Sequence, residues 1–413
     1  MPDLKNIVII CEFAQFSGGS QNIAIGSALE LANRGFNVYF FTAIGDECDE
    51  LKHSRVHVKH LHITNITEDN NRISAAFRGL YNNSAAKELQ DLLNALDKNQ
   101  TIIHVHNWSN AFSSAVVKKA TDMGFKTVIT LHDYLIVCPN GGFYNYKQNH
   151  ICNYEPMSLK CVLCNCDRRS FPQKIYRVVR ELIQNKNIRY NSKLYFITIS
   201  KLNDDLTRPR IKSKNFFRVE NFVQTNRIVN SDRMQSNDFI FVGRLVQEKG
   251  VGIFCEAIRN LKRKFPTINA LVLGTGPLLD SLKEQYPEIE FTGWVNHETV
   301  DTVMAKARCL VFPSVLYECS PLTVIEALTN SLPCIVSDCT TATELIKDGL
   351  NGYTFKAGDA KSLEEKMEKA LDSKVYRKVI ENIGNSFDPS IYTISSYTDR
   401  IIDVYRQIEE DSE

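Results

Sequence analysis

Two carboxylates, Glu318 and Glu326, stand eight positions apart within the stretch Phe312 to Phe355, and the residues between them have the form of a helix start. Ser320 reads as an N-cap and Pro321 as the first helical residue, a position where a missing N–H costs nothing. Glu318 then lies in a loop, while Glu326 sits in the helix, roughly 9 Å along its axis at about 1.5 Å per residue. Between them the amides of Leu322 and Thr323 have no helical acceptor. A helix N-terminus carries about half a positive charge and suits an anion, whereas flanking carboxylates suit neutral hydroxyls. Hydroxyl, phosphate, hydroxyl is the layout of a sugar nucleotide. Taken alone, the pattern fits equally an ordinary cap, with Leu322, Val324, Ile325 and Leu328 in a core and both glutamates in water.

Three other groups bear on that choice. Arg244 follows the strand-like run ending at Val242, and Lys249 stands just before a helical stretch. Together they suit a diphosphate, the guanidinium gripping two oxygens and the ammonium acting as a point charge. Gly18 and Gly19 connect the first strand to the first helix, and without side chains they let backbone approach a ligand. His104 and His106 share one face of the run Thr101 to His106 by period two, and His132 with Asp133 ends another run of the same kind.

The elements that must position these residues follow an α/β pattern. Apolar runs of strand length alternate with amphipathic stretches, the signal of a parallel sheet with helices on both faces. One set runs through Lys5–Cys11, Asn37–Thr42, Thr101–His106, Lys126–Thr130 and Leu194–Ile199. The pattern restarts at Phe239–Val242 and continues through Ala270–Leu273, Glu290–Phe291, Cys309–Phe312 and Cys334–Ser337. Two doubly wound domains are therefore expected, 1–223 and 224–388, with the boundary in the polar stretch 224–237 and a terminal segment 389–413. A chain of 413 residues suits two cores. Folds of this kind bind ligands at strand carboxyl ends, where all of the candidate residues fall.

Composition excludes other classes. A formal charge of +1 gives no global attraction to nucleic acid. The longest apolar runs are strand-length and the N-terminus lacks a signal-peptide pattern, so a cytoplasmic location with reduced cysteines is expected.

In order along the chain, Gly18-Gly19, His104-x-His106, Gly243-Arg244-Leu245-x3-Lys249-Gly250, Leu273-Gly274-Thr275-Gly276-Pro277, Phe291-Thr292-Gly293-Trp294-Val295 and Glu318-x7-Glu326 resemble the retaining glycosyltransferases of the GT-B group called family 4. The resemblance covers nearly the whole chain. It implies two Rossmann-like domains facing each other across a cleft, with a last helix, Tyr392 to Glu409, crossing back to the N-terminal domain. It implies a nucleotide-sugar donor whose diphosphate meets Arg244, Lys249, Ser320 and the amides of Leu322 and Thr323. Glu318 would bind hexose hydroxyls, Glu326 the ribose, Gly18 and Gly19 the phosphate region, and Gly293, Val295 and Trp294 the base. His106, favoured over His104, would stand by the donor sugar and support charge at the anomeric carbon. His104, His132 and Asp133 fall on the acceptor side. Transfer would be front-face and retaining, with no cofactor required; an Asp-x-Asp metal motif does not occur in the sequence. The acceptor would be a saccharide or a polyprenyl-diphosphate-linked glycan, in the assembly of O-antigen, capsule or exopolysaccharide. Cys319 departs from the family, where many relatives have glycine. Two other readings stay open: a sugar-nucleotide epimerase of the same fold, and a non-catalytic sugar-nucleotide-binding protein.

Two features lie outside that frame. An insert at 134–170 carries Cys138, Cys152, Cys161, Cys164 and Cys166. Cys161-x2-Cys164 has metal-ligand spacing and, with Cys138 and Cys152, suits a structural zinc site. The alternative is a set of free thiols in an acceptor-binding loop. From the end of the insert onward, Arg168, Arg169, Lys174, Arg177, Arg180, Lys186, Arg189 and Lys193 stand against a single acid, Glu181. With Ile175, Val178, Val179 and Leu182 at helical spacing, this reads as a basic amphipathic helix, either a solvated face over a core or a contact with the inner face of the cytoplasmic membrane.

Overall fold

Ile7, Val8, Ile9 and Ile10 are all fully buried, on both faces of their strand, which is the mark of a parallel strand covered by helices on either side. The computed structural model of the chain describes residues 4–16, 18–66, 68–225 and 231–411. Its first nine strands are β1 (Asn6–Ile10), β2 (Asn37–Thr42), β3 (Val56–His60), β4 (Thr101–Val105), β5 (Lys126–Thr130), β6 (Tyr144–Asn145), β7 (His150–Ile151), β8 (Tyr195–Thr198) and β9 (Phe216–Arg218). Six more follow: β10 (Asp238–Val242), β11 (Asn269–Leu273), β12 (Glu290–Gly293), β13 (Cys309–Phe312), β14 (Cys334–Ser337) and β15 (Tyr353–Phe355).

Two units result. The first takes the chain up to Gly142, then Asn153–Phe222 and everything from Ile394 on; the second takes Phe143–Cys152 and Val223–Thr393. In the first, seven parallel strands run in the order β3-β2-β1-β4-β5-β8-β9. In the second, six run in the order β12-β11-β10-β13-β14-β15. Each sheet thus reverses its winding once, between β1 and β4 and between β10 and β13. These switch points are where the loops diverge and leave a crevice at the strand carboxyl ends.

The terminal helix, Ile394–Glu410, buries Tyr397, Ile401, Tyr405 and Ile408, a helical stripe, in the first unit's core. Arg34 reaches Asp399 at 2.8 Å and Arg400 reaches Glu220 at 2.6 Å, tying it down from two sides. Among the described residues no helix is long and apolar enough to cross a membrane.

Several expectations are corrected. The junctions fall at Phe222/Val223 and Thr393/Ile394, and residues 226–230 of the expected boundary stretch lie outside the described residues. Most of the insert at 134–170 stays with the first unit, but the β6–β7 hairpin, Phe143–Cys152, joins the second, where Phe143 meets Tyr317 edge-on at 6.4 Å. Among the described residues no group of three or more His, Cys, Asp or Glu side chains is placed to hold a metal. Cys138, Cys152, Cys161 and Cys164 are not assembled as ligands. Instead Lys174 is fully buried with its Nζ 3.6 Å from Cys161 Sγ, and a buried ammonium repels a second cation.

Arg168 to Lys193 is also turned the other way round. It forms a helix, Phe171–Gln184, followed by a π-helical turn, Asn185–Arg189. Lys174, Glu181 and Gln184 point inward with Val178, while Ile175, Val179 and Leu182 face solvent. Arg177 pairs with buried Asp167 at 2.7 Å, and Arg189 donates to the Arg210 carbonyl.

Candidate functional site

Both switch points carry the residues singled out in the sequence. In the second unit, β10 runs into Gly243 and Arg244, and a short 3-10 turn, Gln247–Lys249, leads to the helix Val251–Lys264. Gly250 joins the turn to the helix at φ 71°, and a Cβ there would stand 1.9 Å from the Pro313 carbonyl oxygen. Only glycine allows this approach, which brings the end of the turn against the loop after β13. There Lys249 Nζ meets Glu318 Oε1 at 2.6 Å, and Ser314 Oγ donates to the same oxygen at 2.7 Å. A cation and a carboxylate read from separate motifs thus form one half-buried pair. Arg244 is exposed, and among the described residues its guanidinium makes no ion pair or hydrogen bond.

The helix behind Glu318 is Leu322–Thr329, one residue later than expected. Pro321 is its N-cap with φ −89° and ψ 62°, outside the helical region, so Ser320 is displaced from the cap. Proline has no side-chain acceptor. The Pro321 carbonyl accepts from Val324 and Ile325, while no side chain caps the helix start. The amides of Leu322 and Thr323 have no acceptor within the helix, and no side chain covers the helix end.

Glu326 is largely buried, and burial pushes its carboxyl above the ordinary value against the pull of His297. His297 Nε2 lies 3.3 Å from Glu326 Oε1, and this hydrogen bond holds the imidazole above its ordinary value. The sequence reading missed His297. A signal was present, because His297 opens a helix four residues after the turn at Gly293, at the end of β12. Gly293 has φ 75°, Val295 packs against the core, and Trp294 is 76% exposed with its indole clear of the fold.

In the first unit, the helix Gly19–Asn33 starts at Gly19. Gly18 is its N-cap in extended backbone, and no side chain caps it. Glu12, just after β1, is fully buried and accepts from the amides of Asn110, Ala111 and Phe112. Burial raises its pKa against those amides. Asn107, after β4, accepts from the Glu12 amide at 2.7 Å and donates to Ser20 at 3.3 Å. The two loops at this switch point are therefore cross-tied. Neither Glu12 nor Asn107 carries a sequence signal beyond a polar residue at a strand end.

The two histidines of β4 have different fates. His104 is sealed: Nδ1 meets Tyr405 Oη at 2.8 Å and Nε2 meets Thr130 Oγ1 at 2.7 Å. His106 meets His132 Nε2 through Nδ1 at 3.0 Å, and its buried Nε2 has no partner. Burial lowers the His104 and His132 imidazoles to about 3 and that of His106 well below its ordinary value, so all three are neutral. His106 and His132 line a small pocket of about 30 Å³ with Ser20, Asn107, Thr130 and Asp133. Asp133 is exposed and accepts from the Leu135 amide at 2.8 Å.

Residues 223–386 match the model for glycosyl transferases group 1, nearly the span of the second unit. Over 183 residues the chain is 28% identical to UDP-Gal:alpha-D-GlcNAc-diphosphoundecaprenol alpha-1,3-galactosyltransferase of Escherichia coli, covering 42% of this chain and 46% of that protein. Over 175 residues it is 25% identical to alpha-D-kanosaminyltransferase of Streptomyces kanamyceticus, covering 41% and 45%. The chain spans less than half the length of these curated relatives. Sucrose-phosphate synthase of Thermosynechococcus elongatus superposes over 98% of this chain and 99% of its own with TM-score 0.70 and 16% identity. Anabaena HepE, solved with UDP-glucose, superposes over 97% and 99% with TM-score 0.67 and 13% identity. At such identities the likeness shows fold alone. The fold is GT-B, and the second unit carries a group 1 glycosyl transferase domain.

Proposed function

We propose that the chain is a retaining glycosyltransferase of the family 4 type, moving a sugar from a nucleotide-sugar donor to a saccharide or lipid-linked saccharide acceptor in bacterial surface-polysaccharide synthesis. One observation carries this reading: at the second unit's switch point, the Lys249–Glu318 pair, the unpartnered Arg244 and the uncapped helix start at Leu322 fall together. The matched relatives bear the names of sugar transferases, one of them acting on a diphosphoundecaprenol-linked substrate.

In this reading Arg244 and Lys249 hold the diphosphate, and the amides of Leu322 and Thr323 complete its charge neutralisation. As the glycosidic bond breaks, charge grows on the departing phosphate, and fixed cations favour that state without rearrangement. Glu318, held in place by Lys249 and Ser314, accepts from sugar hydroxyls. Glu326, oriented by His297, accepts from the ribose. On the first unit, the Nε2 of neutral His106 hydrogen-bonds a sugar hydroxyl, Gly18 and Gly19 offer backbone to a phosphate, and His132 and Asp133 belong to the acceptor side. No side chain attacks the anomeric carbon; the departing phosphate oxygen takes the acceptor proton, which gives retention.

A panel of nucleotide sugars, incubated with and without free or lipid-linked saccharides, tests this. Acceptor-dependent nucleotide release that Arg244→Ala abolishes supports it. Binding without any release would favour a non-catalytic sugar-nucleotide-binding protein, and an epimerised sugar without transfer would favour an epimerase.

A further inference from the structure

An amphipathic helix at a protein surface ordinarily turns its apolar side inward. The helix Phe171–Gln184 does the opposite. Its inward residues are bonded to protein: Lys174 to Cys161, and Gln184 to Glu181, to the Leu135 carbonyl and to the Trp108 indole. Turning the helix over would strip these buried polar groups of their partners. Its outward stripe is Phe171, Ile175, Val179 and Leu182, spaced four, four and three, with Leu182 59% exposed.

Two helices beside Phe171–Gln184 also carry exposed apolar side chains. Arg72–Leu80 packs against it where Gly79 admits Tyr176, whose hydroxyl donates to the Ala76 carbonyl at 3.0 Å. That helix leaves Ile73 and Phe77 at 73% and 69% exposure. Leu159–Leu163 is joined to it through Cys161 and Lys174, and leaves Leu159 and Leu163 at 74% and 64%. All three helices belong to the first unit. Large apolar side chains exposed on three helices packed together mark an interaction surface.

Charge identifies the occupant. Exposed Arg72, Lys160, Arg168, Arg169 and Lys186 stand on or beside these helices; of the carboxylates there, Glu181 is buried, Asp69, Glu155 and Asp167 are paired with Arg78, Arg210 and Arg177, and Glu68 is exposed, so cations prevail. A second copy docking here would bring the same cations against themselves. We propose that this three-helix face beds into the interface of a bilayer carrying anionic headgroups, its apolar side chains in the acyl boundary and its cations on the phosphates. The inference does not depend on the transferase reading, because binding to vesicles requires no turnover.

Flotation of the full chain with phosphatidylcholine vesicles, and with vesicles containing about a third phosphatidylglycerol, tests it. The expected result is flotation with the anionic vesicles and at least about tenfold less for the triple variant Phe77→Glu, Leu163→Glu, Leu182→Glu, with an unchanged unfolding midpoint. These side chains are exposed, so the variant folds; the midpoint checks that. Absence of wild-type flotation with anionic vesicles would overturn the proposal. So would a triple variant that floats like wild type, or a wild-type dimer that the variant dissociates while neither protein binds vesicles.

Discussion

Lys249 and Arg244 are assigned the same anion, yet the structure gives them different duties when no ligand is bound. Lys249 holds Glu318 at 2.6 Å, with both side chains mostly but not fully buried. Exposed pairs contribute about 0–1 kcal/mol, and breaking a fully buried one costs about 3–5 kcal/mol. An intermediate pair should therefore lose about 1–2 kcal/mol in Lys249→Met, or roughly 2–8 °C of unfolding midpoint for a unit of this size. Arg244 has no partner to lose, so Arg244→Ala should stay within about 0.5 kcal/mol of wild type. Ligand binding should show the reverse lack of contrast. Each cation makes charge-assisted hydrogen bonds to a diphosphate of about 1.5–3 kcal/mol, so both variants should weaken nucleoside diphosphate binding about 10- to 150-fold. Calorimetric titration with a panel of nucleoside diphosphates, beside scanning calorimetry, measures both quantities. If Arg244→Ala lowers the midpoint as much as Lys249→Met, or binds as tightly as wild type, the assignment of a free anion-gripping cation is wrong.

Three more predictions follow from the geometry. His104→Ala breaks two buried hydrogen bonds and should cost about 2–4 kcal/mol in denaturant unfolding, whereas His106→Ala should spare most of that stability and lower turnover about 10²- to 10³-fold. His297 is held above its ordinary value of 6.5 by Glu326, so its stabilising contribution is complete below about pH 6.5 and is lost as pH rises through the raised value. The stability difference between wild type and His297→Ala should therefore shrink from pH 6 to pH 8, as read by urea denaturation at each pH. Gly250→Ala forces a Cβ against the Pro313 carbonyl at positive φ and should cost more than about 2 kcal/mol by the same assay, with weaker nucleotide binding from a displaced Lys249.

Strands buried on both faces were legible because a run such as Ile7 to Ile10 needs no partner to be recognised. β3, reading Val-His-Val-Lys-His, was not seen, because at the sheet edge its alternation is half polar. The candidate site was legible where one turn brings type and spacing together, as in Arg244 to Lys249 and Glu318 to Glu326. It was opaque where the partner is distant in sequence. Glu12 meets amides almost a hundred residues away, and Tyr405, which seals His104, comes from the far end of the chain. The helix after the cysteine insert shows a further limit. Its periodicity was read correctly, but a helical stripe does not say which side faces in; the buried lysine and glutamate decide that through partners in other elements. Ser320 shows the same on a smaller scale, since Pro321 ends the extended chain one residue later than the first-turn preference of proline suggests.

The central claim is transfer of a donor sugar with its anomeric configuration kept, driven from the second unit's switch point. Proton NMR of a reaction containing the active nucleotide sugar and its saccharide acceptor tests it most directly. The account predicts one new anomeric signal with the donor's own configuration, appearing in step with nucleoside diphosphate and absent with Glu318→Gln. An inverted anomer, or an epimerised sugar in place of a glycoside, would contradict it.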